Sequence, residues 1–343
     1  YEAKDFSCGL FDHTTRVIAQ SEDIGAHVVP LPWSVRSSID DFGDNLAPGD
    51  VILMNDPYRG GTHLNDVTLI YPVFDGDRLI FFAAVREHWA DIGGMVPGSL
   101  SGTAVEIYQE GIRIPPLKLY DKGVPREDVL QMLAANVRMP ENFLGDLNAQ
   151  IGSVMIAAQR IGELLESYGA DRQLATVEEI LAATERQVRQ FISEWPDGVY
   201  YGESLVDDDG FDNKLIPIRA KVTISGDSMT IDLGESSKQV KGFINSAYAN
   251  TRSVAHAAIM NMAPLDVAKN EGSMRPVTVI APEGLIVNTR PPAPVCMSTN
   301  HCAEEIIEAV FKALAPAVPD AVNAGFSRRL RYAITGTDPR TGR

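Results

Sequence analysis

Apolar and polar positions alternate over the first twenty residues. Phe6, Cys8 and Leu10, then Val17 and Ile18, flank the polar run Asp12-His-Thr-Thr15, which predicts a hairpin over residues 4–20. The spacing becomes helical from Trp33 to Phe42, and a short apolar run at Asp50–Asn55 predicts a strand. Asp56-Pro-Tyr-Arg-Gly-Gly61 reads as a loop, because Pro and paired Gly interrupt regular backbone. The apolar runs Val67–Phe74 and Arg78–Arg86 surround Asp75-Gly-Asp77. Asp-Gly is a preferred tight-turn pair, so these runs predict a second hairpin. A loop with Gly93-Gly94 and Pro97-Gly98 follows.

Arg126–Tyr168 and Val177–Trp195 repeat apolar residues every three or four positions (Val154, Ile161, Leu164, Leu165; Ile180, Leu181, Val188, Ile192), which predicts helices. After Pro196 the pattern returns to strand over 199–234, with Leu215–Ile224 and Met229–Leu233 around Ser225-Gly-Asp227. A helix at Ala247–Met262, a strand at Val277–Ala281 and a helix at Glu304–Ala315 complete the pattern. It predicts an α+β fold, with mixed sheets and hairpins packed against a helical segment, in two sub-domains. Residues 1–195 form the first, which carries the candidate chemistry. Residues 196–343 form a second α+β unit that reads as truncated at its C-terminus. With no initiator Met and no terminal cap, the chain reads as a fragment or a processed chain.

Composition narrows the function. Hydrophobic residues make up 45% and charged residues 22%, an ordinary globular balance. The net charge of -16 argues against nucleic acid and anionic membranes as partners. The apolar runs, such as Leu79–Val85, are too short to span a bilayer. Three cysteines, Cys8, Cys296 and Cys302, match no disulfide framework or CxxC pair. With no visible signal peptide, they suggest a reducing, cytoplasmic compartment.

The candidate chemistry lies in two His-x-x-Asp units, His63/Asp66 and His88/Asp91. Imidazole and carboxylate groups suit zinc or manganese first, and iron or cobalt also. Centring the second hairpin near Gly76 places residue 64 opposite 88, so His63 and His88 meet at its open end. Asp66 then falls opposite Arg86, and Asp91 lies just beyond in the Gly-rich loop. A single histidine at a strand end is more often merely solvated or hydrogen-bonded. Two units at mirrored ends of one hairpin favour a metal. Arg138, Glu141, Asp146 and Gln150 share a helical face, as substrate contacts or as a solvated face. Cys302 beside His301 reads poorly as a nucleophile pair, since adjacent residues seldom face each other. Cys8 and His256 read as packing residues, and His13 as a solvent-facing turn residue.

Several stretches resemble the hydantoinase B/oxoprolinase family. They are Asp5-Phe-Ser-Cys8, Asn55-Asp-Pro-Tyr-Arg-Gly-Gly-Thr-His-Leu-Asn-Asp66 and His88-Trp-Ala-Asp-Ile-Gly-Gly94 with Pro97-Gly-Ser99. Asn136-Val-Arg-Met-Pro-Glu141 with Gly145-Asp-Leu147, Arg275-Pro with Ala281-Pro-Glu-Gly284, and Asp338-Pro-Arg-Thr-Gly342 extend the likeness. The family comprises N-methylhydantoinase B subunits, the matching half of 5-oxoprolinases, caprolactamase beta subunits and acetone carboxylase alpha subunits. The resemblance implies metal ligands at Asp5, His63, Asp66 and His88, with Asp91 orienting a ligand from outside the donor set. Oxoprolinase-like members often read His-His where this chain has His88-Trp89, and Ser298-Thr-Asn-His-Cys302 departs from the family's Gly-Asn-rich text. The family also extends beyond this chain at both ends.

The chain shows no Gly-x4-Gly-Lys-Ser/Thr loop and no Gly-x-Gly-x-x-Gly fingerprint. The resemblance implies that ATP is used by a hydantoinase A-type ATPase subunit in a hetero-oligomer, which phosphorylates a small cyclic amide. The expectation is then a metal-dependent amidohydrolase subunit that opens a hydantoin or lactam ring (5-oxoproline-like), with Asp66 and Asp91 as the catalytic carboxylates. Two alternatives remain: a subunit of an ATP-dependent ketone carboxylase acting on acetone or acetophenone, and a non-catalytic subunit whose metal is structural.

Overall fold

A computed structural model describes residues 5–21, 27, 29–323 and 340. The first part builds a seven-stranded antiparallel sheet. Strands β1 (Phe6–Asp12) and β2 (Val17–Gln20) form the first predicted hairpin. Asp12 closes its turn, and its buried carboxylate accepts the amides of Thr14 and Arg16 at 2.9 and 3.0 Å. Helix α1 (Leu31–Phe42) starts two residues before the predicted Trp33. Pro32 fits in its first turn, where a missing N–H costs nothing. Strands β3 (Val51–Met54), β4 (Asp66–Asp75) and β5 (Arg78–His88) follow. Strands β6 (Leu117–Asp121) and β7 (Val124–Pro125) have no counterpart in the sequence reading. The sheet order is β2-β1-β5-β4-β3-β6-β7.

The predicted helical run from Arg126 divides into α2 (Glu127–Asn136) and α3 (Pro140–Tyr168). Pro140 forces the residue before it out of helical backbone, which separates the two. Helix α4 (Ala170–Ser193) begins seven residues before the predicted Val177, directly after Gly169 (φ +76°) turns the chain out of α3. α3 packs its buried face, including Phe143, Leu147, Ile151 and Val154, against Leu69, Phe81 and Val85 on one side of the sheet. α1 packs Leu31 and Val35 against Ile52, Ile70 and Phe82 on the other side. Strand alternation makes this possible, since successive side chains leave opposite faces.

The second part holds β8 (Gly198–Asp208), β9 (Lys214–Ser225), β10 (Ser228–Asp232), α5 (Tyr248–Met260), α6 (Glu271–Met274), β11 (Val277–Ile280) and α7 (Ala303–Leu314). Its sheet order is β11-β10-β9-β8, with β10 and β11 parallel and the other pairs antiparallel. Its core also takes in Val188, Phe191 and Ile192 from the end of α4. The architecture is the mixed α+β fold expected, with seven helices and two sheets among the described residues. None of the described helices is long and apolar enough to cross a membrane.

Candidate metal centre

The hairpin of β4 and β5 corrects the predicted register. Asp66 pairs with His88, not with Arg86, and Thr68 pairs with Arg86. The turn closes at Asp75 and Arg78, and a bulge between Val73 and Phe74 adds one residue, so the register moves by two. An even displacement returns every side chain to its face, so the expected neighbours still meet.

The loop before β4 is built by its own motif. The buried Asn55 side chain accepts the Ile114 amide at 2.7 Å and donates to the carbonyls of Leu64 and Ile112 at 2.7 and 2.9 Å. Asp56 accepts the Tyr58 amide at 3.0 Å and starts a single 3-10 turn. Gly61 passes so close to Asn55 that a Cβ would lie 2.3 Å from the Asn55 carbonyl oxygen. The loop then delivers His63 beside the end of β4. Asn65 ties both hairpin ends together, donating to the Trp89 carbonyl at 2.8 Å while its own carbonyl accepts the Trp89 amide at 2.8 Å.

At this end, three imidazole nitrogens converge on one carboxylate oxygen. His63 Nε2 is 2.8 Å from Asp66 Oδ1, His88 Nδ1 is 3.1 Å from it and His27 Nε2 is 3.4 Å from it. One ligand atom each from His63, Asp66 and His88 lie within 4.8 Å of one another. His63 and Asp66 are buried, and half-buried His88 forms the open side. Thr62 donates its hydroxyl to Asp66 Oδ2. β1 brings Asp5 alongside: its carbonyl accepts the His88 amide at 3.0 Å, and its Oδ1 is 3.5 Å from His27 Nε2. That Oδ1 is buried without a hydrogen-bond partner among the described residues.

The donor set fits a cation. Burial pushes His63 below its ordinary value, toward the neutral ring. Burial alone would raise the Asp66 carboxyl, but the facing His63 and His27 outweigh it and hold Asp66 well below the usual carboxylate range. His63 Nδ1 is 2.9 Å from the Cys296 carbonyl oxygen, which can only accept, so Nδ1 carries the hydrogen. With Nδ1 committed to the Cys296 carbonyl, Nε2 faces the Asp66 oxygen at 2.8 Å, where a proton or a cation satisfies both atoms. His63, Asp66 and His88 could hold a metal ion, with Asp5 at the edge.

The remaining expectations separate clearly. Asp91 does not join the cluster of His63, Asp66 and His88. Its carboxylate accepts the amides of Gly93 and Gly98 at 3.0 Å each, the Arg138 amide at 3.1 Å and the Arg138 guanidinium at 2.8 Å. Both of its oxygens thus engage the Gly-rich loop and Arg138. Gln150 is buried rather than on a solvated face: it donates to the Val67 carbonyl at 2.9 Å and accepts from the Trp89 indole at 3.0 Å. It therefore fixes the residues that directly follow Asp66 and His88. Glu141 is exposed and Asp146 half-buried. Trp89 packs edge-on against Phe143 with ring centroids 4.8 Å apart, so it belongs to the core.

Cys302 is fully buried, which raises its thiol well above the ordinary value and disfavours a nucleophile. The neighbouring His301 ring instead lies 3.8 Å from Glu305. Cys8 lies half-buried on β1, and His13 is exposed in the turn. His256 is buried and hydrogen-bonded to the Ser273 hydroxyl at 3.2 Å. Asp338-Pro-Arg-Thr-Gly342 lies outside the described residues except for Arg340.

Two contributors were missed. His27 had no flanking motif to mark it. Arg86 is fully buried and donates to the Thr68 hydroxyl at 2.9 Å, the His27 carbonyl at 3.0 Å, the Ser34 hydroxyl at 2.7 Å and the Gly60 carbonyl at 3.2 Å. Burial lowers it to about 10. An arginine ending an otherwise apolar strand was the available signal.

The model of the hydantoinase B/oxoprolinase family matches residues 1–343. The caprolactamase subunit beta of Pseudomonas jessenii is 38% identical over 339 residues, covering 98% of this chain and 58% of that protein. The crystal structure of the ATP-dependent caprolactamase from Pseudomonas jessenii superposes with a TM-score of 0.88, over 93% of this chain and 55% of that one. A nucleotide-free acetone carboxylase structure superposes with a TM-score of 0.85 at 18% identity, over 94% of this chain and 45% of that one, which is a likeness of fold. The chain thus spans about half the length of these three proteins. It belongs to the hydantoinase B/oxoprolinase family.

Proposed function

We propose that this chain is the metal-bearing part of an ATP-dependent amidohydrolase that opens a hydantoin or lactam ring after a partner ATPase subunit phosphorylates it. The observation that carries this reading is the convergence of His63, His88 and His27 on one ionised oxygen of buried Asp66, in a chain of this family. The named caprolactamase relative supports a cyclic amide as the substrate class. The three free cysteines support a reducing, cytoplasmic setting.

A lactam carbon is a poor electrophile, and phosphorylating its oxygen makes it a better one. Water adds to that carbon, the C–N bond breaks as the nitrogen takes a proton, and an acyl phosphate remains. A second water hydrolyses the acyl phosphate to a carboxylate and free phosphate. His63, Asp66 and His88, with Asp5, would hold a divalent cation, zinc or manganese before iron or cobalt. When bound, it supplies Lewis acidity that lowers the pKa of water to about 7 in favourable sites. Asp5 and Asp66 would receive the proton of the attacking water, and Asp91 would keep the adjoining Gly-rich loop in place.

The test is metal analysis of the purified chain and ATP-dependent ring opening with the partner subunit added. His63→Ala and His88→Ala are expected to lose bound metal and at least about a hundredfold in turnover. Full activity in either variant would sink the proposal. Bicarbonate-dependent consumption of acetone in the same assay would assign the site to carboxylation instead.

A further inference from the structure

A chain of contacts runs from the second half of the molecule into the donor set. Residues 292–298 lie between β11 and α7 in sequence, yet they contact the loops that carry the site. Tyr58 donates its hydroxyl to the Ala293 carbonyl, the Ile107 amide donates to the Pro292 carbonyl at 2.8 Å, and the Ser298 hydroxyl donates to the Thr62 carbonyl at 3.0 Å. At the centre of the segment, the amides of Val295 and Cys296 donate to the two carboxylate oxygens of Glu110 at 3.0 and 2.8 Å. The carbonyl of the same Cys296 accepts from His63 Nδ1.

Glu110 is built for this position. It follows a 3-10 turn, Ile107–Gln109, which the Glu106 and Gln109 side chains close as a capping box. Its side chain is fully buried. Gly94 lies against its backbone, where a Cβ would fall 2.6 Å from the Glu110 carbonyl carbon. Gly94 thus leaves room for the Glu110 backbone. The two anchored amides, with the turn bond from the Ser298 amide to the Val295 carbonyl at 2.9 Å, fix the residue whose carbonyl meets His63.

We propose that Glu110 is a positioning residue that, through the Cys296 carbonyl, holds His63 in the tautomer whose Nε2 is free to take a divalent cation. Without that acceptor the ring can place its hydrogen on Nε2, where no lone pair remains for a metal. The inference rests on the metal reading above and extends it to a residue 47 positions from His63 in sequence. It also makes the second half of the chain a part of the site.

Two measurements on the full chain test it. The first titrates Co2+ into wild type and Glu110→Gln against a competing chelator, with the visible Co2+ spectrum recorded. A glutamine side chain has one acceptor oxygen and can serve only one of the two amides. Affinity is therefore expected to fall about ten- to a hundredfold with an altered spectrum, while the metal-free variant still unfolds cooperatively. Unchanged affinity and spectrum would overturn the proposal, and so would a variant that does not fold, since Glu110 would then be a general structural element. The second reads the ring nitrogens of metal-free wild type by 15N NMR, with His63→Gln giving the assignment. A hydrogen on Nδ1 of His63 is expected, and an Nδ1 without one overturns the proposal. If wild type bound no Co2+ but carried the Nδ1 hydrogen, the metal reading would fail while the Glu110 geometry stood.

Discussion

Replacing Gln150 by leucine keeps the side chain's size and removes both of its hydrogen bonds, leaving the Trp89 indole N–H and the Val67 carbonyl without this partner. A buried polar group without a partner costs about 1–3 kcal/mol, so Gln150→Leu is expected to lose about 2–4 kcal/mol in urea unfolding. A loss below about 0.5 kcal/mol would show that water replaces the glutamine. His256 gives a pH signature. Burial lowers it to about 3 in the fold, against roughly 6.5 in the unfolded chain. Between these values the unfolded chain binds more protons, so stability rises with pH, by up to about 1.4 kcal/mol per pH unit. His256→Asn should flatten that slope, as measured by denaturant unfolding from pH 4 to 6; an unchanged slope would place the titration elsewhere. At this scale the site was readable where turn chemistry framed it. His63, Asp66 and His88 border a hairpin marked by Asp75-Gly-Asp77, so their meeting followed from strand pairing. His27 meets them by tertiary packing alone, and Glu110 reaches them through another residue's backbone, which no local pattern encodes.

Among the elements, the loop from Asp56 to Asn65 is set by closeness more than by sequence propensity. Gly61→Ala would drive a Cβ into the Asn55 carbonyl. It is expected to cost about 1–3 kcal/mol in thermal or urea unfolding and to weaken metal binding, because the same loop carries His63. Wild-type stability in this variant would mean that the loop relaxes freely. The elements that sequence reading found were long and strongly patterned: β4, β5, α3 and the second-half strands. It missed β6, where Leu119 alone of five residues is buried, and β7, whose two residues are both exposed, because neither presents a clear buried face. It placed the start of α4 late because the first apolar repeat clear enough to recognise began at Val177. It misjudged the register of β4 and β5 because the turn closes at Asp75 and Arg78 rather than centring on Gly76, and because the bulge that follows has no fixed sequence signature.

For the whole molecule, the site draws on both halves, with Cys296 and Ser298 reaching loops near Thr62 and His63. A ligand that binds only the folded chain stabilises it by about 2.7 kcal/mol at a concentration 100 times its dissociation constant. If the proposed ion is bound, chelating it should therefore lower the unfolding midpoint of both halves together. Loss of the first half's transition alone, seen by hydrogen exchange in β4 and β5 against β8–β10, would separate them. The order of the seven-stranded sheet has a further consequence, for the protein in a crowded solution. Its outermost strands are the four-residue β2 and the two-residue β7, which ends in Pro125. Proline has no N–H to offer, and strands this short give an incoming chain little to pair with. The long apolar strands β4 and β5, whose exposure would invite sheet extension into fibrils, lie in the middle with partners on both sides.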